Sequence, residues 1–123
     1  MTIRLDPFPS AADLAPLGAA WGDEEMRSIL ARSLCHACAY SGDRLVGYVN
    51  VAWDGGVHAF LLDPRVHPEF RRQGIATRLV AAVAEHSRRR GAEWLHVDYD
   101  PHLEGFYRGC GFRPTPAGLI RLN

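Results

Sequence analysis

A short run of small and basic residues, Arg71–Ala76, follows a strand-like segment, Phe60–Val66, and leads into a helical pattern that starts at Ile75. The first turn of a helix presents backbone N–H groups without intrahelical partners, together with the positive end of the helix dipole. Gly74 and Ala76 leave this backbone uncovered, and the two arginines add permanent positive charge. The sequence therefore predicts a strand, loop and helix that bind the phosphate groups of a cofactor.

Two common phosphate-binding loops differ from this run. A Walker loop needs a lysine after its second glycine, and the chain contains no lysine, which excludes that loop. A dinucleotide fingerprint needs three spaced glycines after the first strand of a βαβ unit. Gly74 is the one glycine in the run and follows a predicted hairpin, so the match to that fingerprint is weak.

The spacing resembles motif A of the GNAT family, the Gcn5-related N-acetyltransferases. That motif has Gln or Arg, two residues, Gly, one residue, and then Gly or Ala. Arg71, Gly74 and Ala76 occupy its three fixed places. The resemblance covers Val57–Leu122, and it extends to Val66–Phe70 before the loop and to the Phe-Tyr and Gly-Phe pairs within residues 105–112.

The composition fits one domain of 123 residues. Fourteen arginines balance fourteen acidic residues, so no general positive field favours nucleic acid or an anionic membrane. The basic run Arg88–Arg90 is read as a solvated helix end in preference to a nucleic-acid contact. No apolar run approaches the roughly twenty residues of a membrane span, and the N-terminus has no signal-peptide core, so we expect a cytoplasmic protein.

Three cysteines, an odd number, disfavour a disulfide framework. Cys35 and Cys38 lie three residues apart, which on a strand places their side chains on opposite faces. No second pair of ligands follows them, so the sequence predicts two buried packing residues and no metal site.

Hydrophobic periodicity and turn glycines predict ten elements of a mixed α/β fold. In chain order they are strand Thr2–Leu5, helices Ala11–Gly18 and Asp23–Leu34, strands Cys35–Tyr40, Arg44–Trp53 and Val57–Val66, helix Ile75–Arg90, strand Glu93–Tyr99, helix Pro101–Arg108 and strand Gly118–Leu122. The predicted fold class is a mixed, mostly antiparallel central sheet flanked by helices, as the GNAT resemblance implies.

The resemblance implies acetyl-CoA as the donor, held where the fourth and fifth strands separate. It places the Val66 backbone against the pantetheine arm. It also implies that the pyrophosphate is surrounded by Arg71, Arg72, Gln73, Gly74, Ile75, Ala76 and Thr77. The family often has Asn seven residues before its catalytic tyrosine, and Asp100 stands there in this chain with acceptor oxygens but no amide donor.

The resemblance places Tyr107 at the position of the general acid. A phenol with a pKa of about 10 can protonate a departing thiolate of similar basicity. Many relatives carry a basic Glu fourteen residues before the motif glycine, and this chain has Phe60 there. His58 shares the face of Phe60, whereas Asp63 faces the other way unless a bulge resets the register. Both are candidate bases.

These features predict an N-acetyltransferase that moves an acetyl group to a primary amine of a small molecule or protein, by direct attack and without metal. The alternative is a module that binds acyl-CoA to sense it or to regulate a partner, without turnover. Tyr107 favours the enzyme and Phe60 favours the sensor. The expected partner is an amine acceptor and not nucleic acid or membrane, and a homodimer is compatible with this reading.

Overall fold

The computed structural model describes residues 1–123, and its centre is a five-stranded sheet in chain order. The first four strands pair with one another in antiparallel fashion, and the fifth strand pairs in parallel with the fourth. The strands are β1 (Thr2–Leu5), β2 (Ser33–Ser41), β3 (Arg44–Trp53), β4 (His58–Val66) and β5 (Trp94–His96). The predicted mixed, mostly antiparallel sheet is confirmed.

Four α-helices flank the sheet. They are α1 (Ala11–Leu14), α2 (Asp23–Ala31), α3 (Ile75–Arg89) and α4 (Glu104–Gly109). Ser10 starts α1 with a capping box. The Ser10 hydroxyl accepts a hydrogen bond from the backbone N–H of Asp13, and the Asp13 carboxylate accepts one from the backbone N–H of Ser10. Three acidic residues occupy the first turn of α2, where the helix dipole favours them.

The sheet buries a different set of side chains on each face. The larger core lies under α3 and includes Val49 and Leu61 of the sheet with Leu79 and Val83 of the helix. The smaller core lies under α1 and α2 and includes Tyr48, which is fully buried. Strand alternation sends neighbouring residues to opposite cores.

Gly47 of β3 brings α3 close to the sheet. A Cβ at this position would lie 2.9 Å from Leu79 Cδ1, 3.0 Å from Ile75 Cγ2 and 3.1 Å from Ala39 Cβ. All three neighbours are buried, so none can move away without disturbing the packing. Helix α3 therefore packs directly against the sheet backbone at Gly47.

We expect Gly47→Ala to lower the free energy of unfolding by about 1 to 3 kcal/mol, because overpacking outweighs the small entropic gain of replacing a glycine. Urea denaturation would measure the change. Gly105→Ala is the matched control, because a Cβ there has no neighbour within 4 Å. A Gly47→Ala variant as stable as the wild type would show that α3 can move outward freely.

A bulge interrupts the pairing of β3 with β4. Tyr48 pairs with Arg65 and Asn50 pairs with Leu62, so Asp63 and Pro64 together face one residue of β3. The backbone of Asp63 is left-handed, with φ at 54°. The bulge that would reset the register of Asp63 is thus present.

Five predicted elements need correction. The helices predicted over Ala11–Gly18 and Pro101–Arg108 are partly 3₁₀, over Ala15–Leu17 and Pro101–Leu103. Gly118–Leu122 is not a strand: no partner pairs with it, and Leu119, Ile120 and Leu122 are 87%, 86% and 94% exposed. The helix predicted over Asp23–Leu34 ends at Ala31, and the last two residues of the predicted range, Ser33 and Leu34, belong to β2. The strand predicted over Glu93–Tyr99 is reduced to β5, because only three of its residues pair with β4.

The two cysteines of β2 are buried, whereas Arg88 and Arg89 of the basic run are 70% and 71% exposed. Cys35 faces the larger core and Cys38 the smaller one, as strand alternation predicts. Burial raises the pKa of Cys35 to about 11 and that of Cys38 to about 12, so both thiols stay protonated at neutral pH.

Glu85 pairs with Arg88 and Arg89, and Arg90 donates to a backbone carbonyl of β2. None of the helices has the length and apolarity of a membrane span.

Candidate functional site

The loop before α3 has the backbone geometry of an anion site. Gly74 is the N-cap residue of α3 and is left-handed, with φ at 77°. No side chain caps the helix, so the N–H groups of its first turn remain available to a ligand. Arg72 is also left-handed, with φ at 63°, which an ordinary residue adopts only when its surroundings enforce it.

The edge of β4 that faces β5 is open over most of its length. The two strands pair only where His58, Ala59 and Phe60 meet β5. Residues 61–66 therefore have β3 on one side and no strand on the other. An unpaired strand edge offers backbone donors and acceptors to an extended ligand.

A cavity of about 640 Å³ joins this open edge to the loop. Its walls come from the end of β4, the start of α3, α4 and the turn after α1. The lining residues are Leu17, Pro64, Arg65, Val66, Phe70, Arg71, Arg72, Gly74, Ile75, Ala76, Thr77, Leu103, Phe106 and Tyr107. Only arginines among them carry a formal charge, so the cavity favours an anionic ligand.

Tyr107 projects from α4 into this cavity and is only 4% exposed. Its ring stacks on Tyr99 at 4.8 Å between centroids and meets Phe106 and Phe112 edge to face. Burial raises the pKa of its phenol above the ordinary value, with a smaller contribution from Cys110. The side chain is therefore fixed by packing and holds its proton at neutral pH.

The cavity contains most of the predicted site residues, but four lie outside it. Gln73 is an exposed loop residue, and Asp100 is exposed at the start of a 3₁₀ turn, Pro101–Leu103. His58 lies at the first position of β4, and Asp63 lies at the bulge. The structure therefore brings eight of the predicted site residues to the cavity and leaves these four outside it.

His58 contacts a residue that the sequence analysis missed. Its Nδ1 lies 2.8 Å from Nε2 of His96, so one ring donates a hydrogen bond to the other. Phe60 stacks on His96 at 4.6 Å. The pairing of β4 with β5 brings these three side chains together, and only the register of that parallel pair would have revealed it.

Arg65 was also missed. Its Nη2 lies 3.7 Å from Oδ1 of Asp63, and its guanidinium lies over the ring of Trp21 at 5.6 Å. Trp21 in turn meets Tyr48 edge to face at 5.6 Å. The bulge and the turn between α1 and α2 create this group, so spacing in the sequence carried no signal for it.

A parallel strand pair that opens beside a helix start, with a buried tyrosine lining the cavity there, defines a mixed α/β protein with a ligand cavity at the opened edge of its sheet. The model of the acetyltransferase (GNAT) family matches residues 3–112. The chain belongs to this family, which confirms the resemblance. Its fold matches a GNAT family acetyltransferase from Streptococcus pneumoniae TIGR4 with a TM-score of 0.79 and 28% identity, over 99% of this chain and 97% of that one.

Two further matches differ in extent. A mycothiol acetyltransferase from Rhodococcus erythropolis is 35% identical over 69 residues, which is 56% of this chain and 23% of the relative. The aminoglycoside N-acetyltransferase AAC(6')-Iy, solved in complex with CoA, has the same fold, with a TM-score of 0.77 and 18% identity over 99% and 98% of the two chains. The matched segments span less than half the length of the curated relatives, between 23% and 45%.

Proposed function

We propose that this protein binds acetyl-CoA and transfers its acetyl group to a primary amine. The observation that carries the proposal is the single cavity that is lined by Val66, Tyr107 and all residues of the Arg71–Thr77 loop except Gln73. In this arrangement the loop holds the pyrophosphate through backbone N–H groups and arginines. The open edge of β4 pairs with the pantetheine amides, and the thioester then lies toward Tyr107.

The reaction begins when the neutral amine attacks the thioester carbonyl, which forms a C–N bond. The C–S bond then breaks, and the thiolate of CoA takes the proton of the Tyr107 phenol. The amine loses a proton to solvent, and the phenol is reprotonated from solvent. Because burial raises the pKa of Tyr107, the phenol keeps its proton until the thiolate forms beside it.

Incubation with acetyl-CoA and a panel of primary amines, with free thiol as the readout, tests this function. We expect release of CoA that depends on both the protein and the amine, together with mass-spectrometric detection of the acetylated amine. If acetyl-CoA binds but no amine produces thiol release, the enzyme assignment is wrong.

The second candidate function is an acyl-CoA sensor without turnover. The observation that favours it is the absence of any carboxylate from the cavity lining, with Phe60 at the position where many relatives carry a basic Glu. The thiol-release experiment separates the two functions, because a sensor binds acetyl-CoA with measurable affinity and leaves the thioester intact.

We expect the rate to rise with pH toward the pKa of the free amine, because no dedicated base lines the cavity. His58→Ala and Asp63→Asn should each lower kcat by less than about tenfold, well below the loss of a true general base. Asn is the matched substitution, because it tolerates the left-handed backbone of Asp63. A loss of about a hundredfold in either variant, with unchanged acetyl-CoA binding, would identify that residue as the base.

A further inference from the structure

One wall of the cavity contains a cluster that the proposed reaction does not use. We call it the Arg65 corner, and it consists of Gly18, Trp21, Tyr48, Asp63 and Arg65. Arg65 is the member that lines the cavity, and its side chain is 29% exposed. A Cβ on Gly18 would lie 3.4 Å from its Nη1, so the turn after α1 passes directly beside the guanidinium.

The Arg65 corner contains buried hydrogen-bonding groups without partners. Nε of Arg65 and the hydroxyl of Tyr48 are both buried and unpaired. Asp63 lies 3.7 Å from Nη2, which is an ion-pair distance but too long for a hydrogen bond. Both of these atoms are enclosed, so the donors that a ligand in the cavity can reach belong to the exposed part of the guanidinium, whose charge Asp63 balances only in part.

The Arg65 corner and the phosphate-binding loop lie on opposite faces of the sheet. Val66 packs against the larger core under α3, and the preceding Arg65 points to the opposite face, toward Trp21 and Tyr48. The loop leads into α3, and the first residue of that helix, Ile75, belongs to the larger core. Arg71 and Arg72 are residues of that loop, whereas Arg65 is the one arginine of the cavity lining outside it and is available to the second substrate.

We propose that the amine acceptor carries an anionic group, a carboxylate or a phosphate, which Arg65 binds. This inference rests on the proposed function and names the class of its acceptor. A guanidinium presents donors in a fork that matches two oxygens of such a group. Asp63 balances the charge of Arg65 only in part at 3.7 Å, and no acidic side chain lines the cavity to hold a second ammonium group. Polycationic amines are therefore poor acceptors.

The test compares matched pairs of primary amines that differ only in the anionic group. ω-Amino acids of increasing length are paired with their amides, and O-phosphoethanolamine is paired with ethanolamine. We expect kcat/KM to be about tenfold to a hundredfold higher for the anionic member of one series, as for hydrogen bonds to a charged group. The series with the larger ratio distinguishes carboxylate from phosphate.

The same pairs are then measured with Arg65→Gln and Arg65→Lys. Arg65→Gln should bring the ratio within a pair close to one, and Arg65→Lys should keep part of it. Dividing the wild-type ratio by the variant ratio cancels differences in intrinsic amine reactivity. Arg89→Gln, at the far end of α3, is the control and should leave the ratio unchanged. Unaltered acetyl-CoA affinity by calorimetry verifies that each variant folds.

The outcomes separate this inference from the function on which it rests. Equal kcat/KM for both members of every pair, or a ratio that survives in Arg65→Gln, overturns the anionic acceptor and leaves the acetyltransferase intact. No thiol release with any amine, despite acetyl-CoA binding, overturns the proposed function and this inference with it.

Discussion

Tyr107→Phe should lower turnover by about a hundredfold or more while acetyl-CoA affinity remains nearly unchanged. The substitution removes the proton that we assign to the departing thiolate and keeps the ring. That ring packs between Tyr99, Phe106 and Phe112, so its position does not depend on the hydroxyl. Steady-state kinetics with an active acceptor gives kcat, and calorimetry gives the affinity.

Tyr99→Phe is the matched control, because Tyr99 stacks on Tyr107 but does not line the cavity. It should retain nearly full activity. The raised pKa of Tyr107 has a second consequence: the phenol remains protonated throughout the neutral range, so deprotonation of this acid does not limit the rate there. If Tyr107→Phe lost activity only in proportion to folded protein, the residue would be a packing residue and not the acid.

Gly74→Val should weaken acetyl-CoA binding by about tenfold to a hundredfold. Two effects combine: the side chain covers the N–H groups that we assign to the pyrophosphate, and a β-branched residue is strained at φ 77°. A Cβ alone meets nothing within 4 Å, so the protein itself has room for the new side chain. Calorimetric titration with acetyl-CoA or CoA measures the loss.

Gly91→Val separates the two effects. Gly91 follows the other end of α3, is left-handed at φ 106° and also has no neighbour for a Cβ within 4 Å. Both variants should lose stability to backbone strain, and only Gly74→Val should lose affinity. Equal affinity in the two variants would remove the pyrophosphate from the loop.

The sequence predicted those parts of the fold whose signals are local. The turns Ser41–Asp43 and Asp54–Gly56 carry glycines between alternating apolar runs, and the two hairpins around them are present. The helix predicted over Ile75–Arg90 agrees with α3 to within one residue, because its apolar stripe repeats through four turns. The loop before it was predicted from its small residues, and Gly74 is the left-handed N-cap residue of α3.

Other features depend on partners distant in sequence. Gly118–Leu122 has the composition of a strand, but a strand exists only where another edge pairs with it. His96 acquires its neighbours from the register between β4 and β5, and Arg65 from the bulge at Asp63. A local pattern contains neither register nor bulge, so both residues were invisible until the chain was folded.

Gly47 affects the width of the cavity without lining it. It pairs with Val66 across β3 and β4, and it lets Ile75 and Leu79 lie directly on the backbone of the sheet. Because Gly47 has no side chain, it determines how close the start of α3 lies to the end of β4. The width of the cleft is thus set by a residue that does not line it, and evolution or design could widen the cleft there while every lining residue stayed the same.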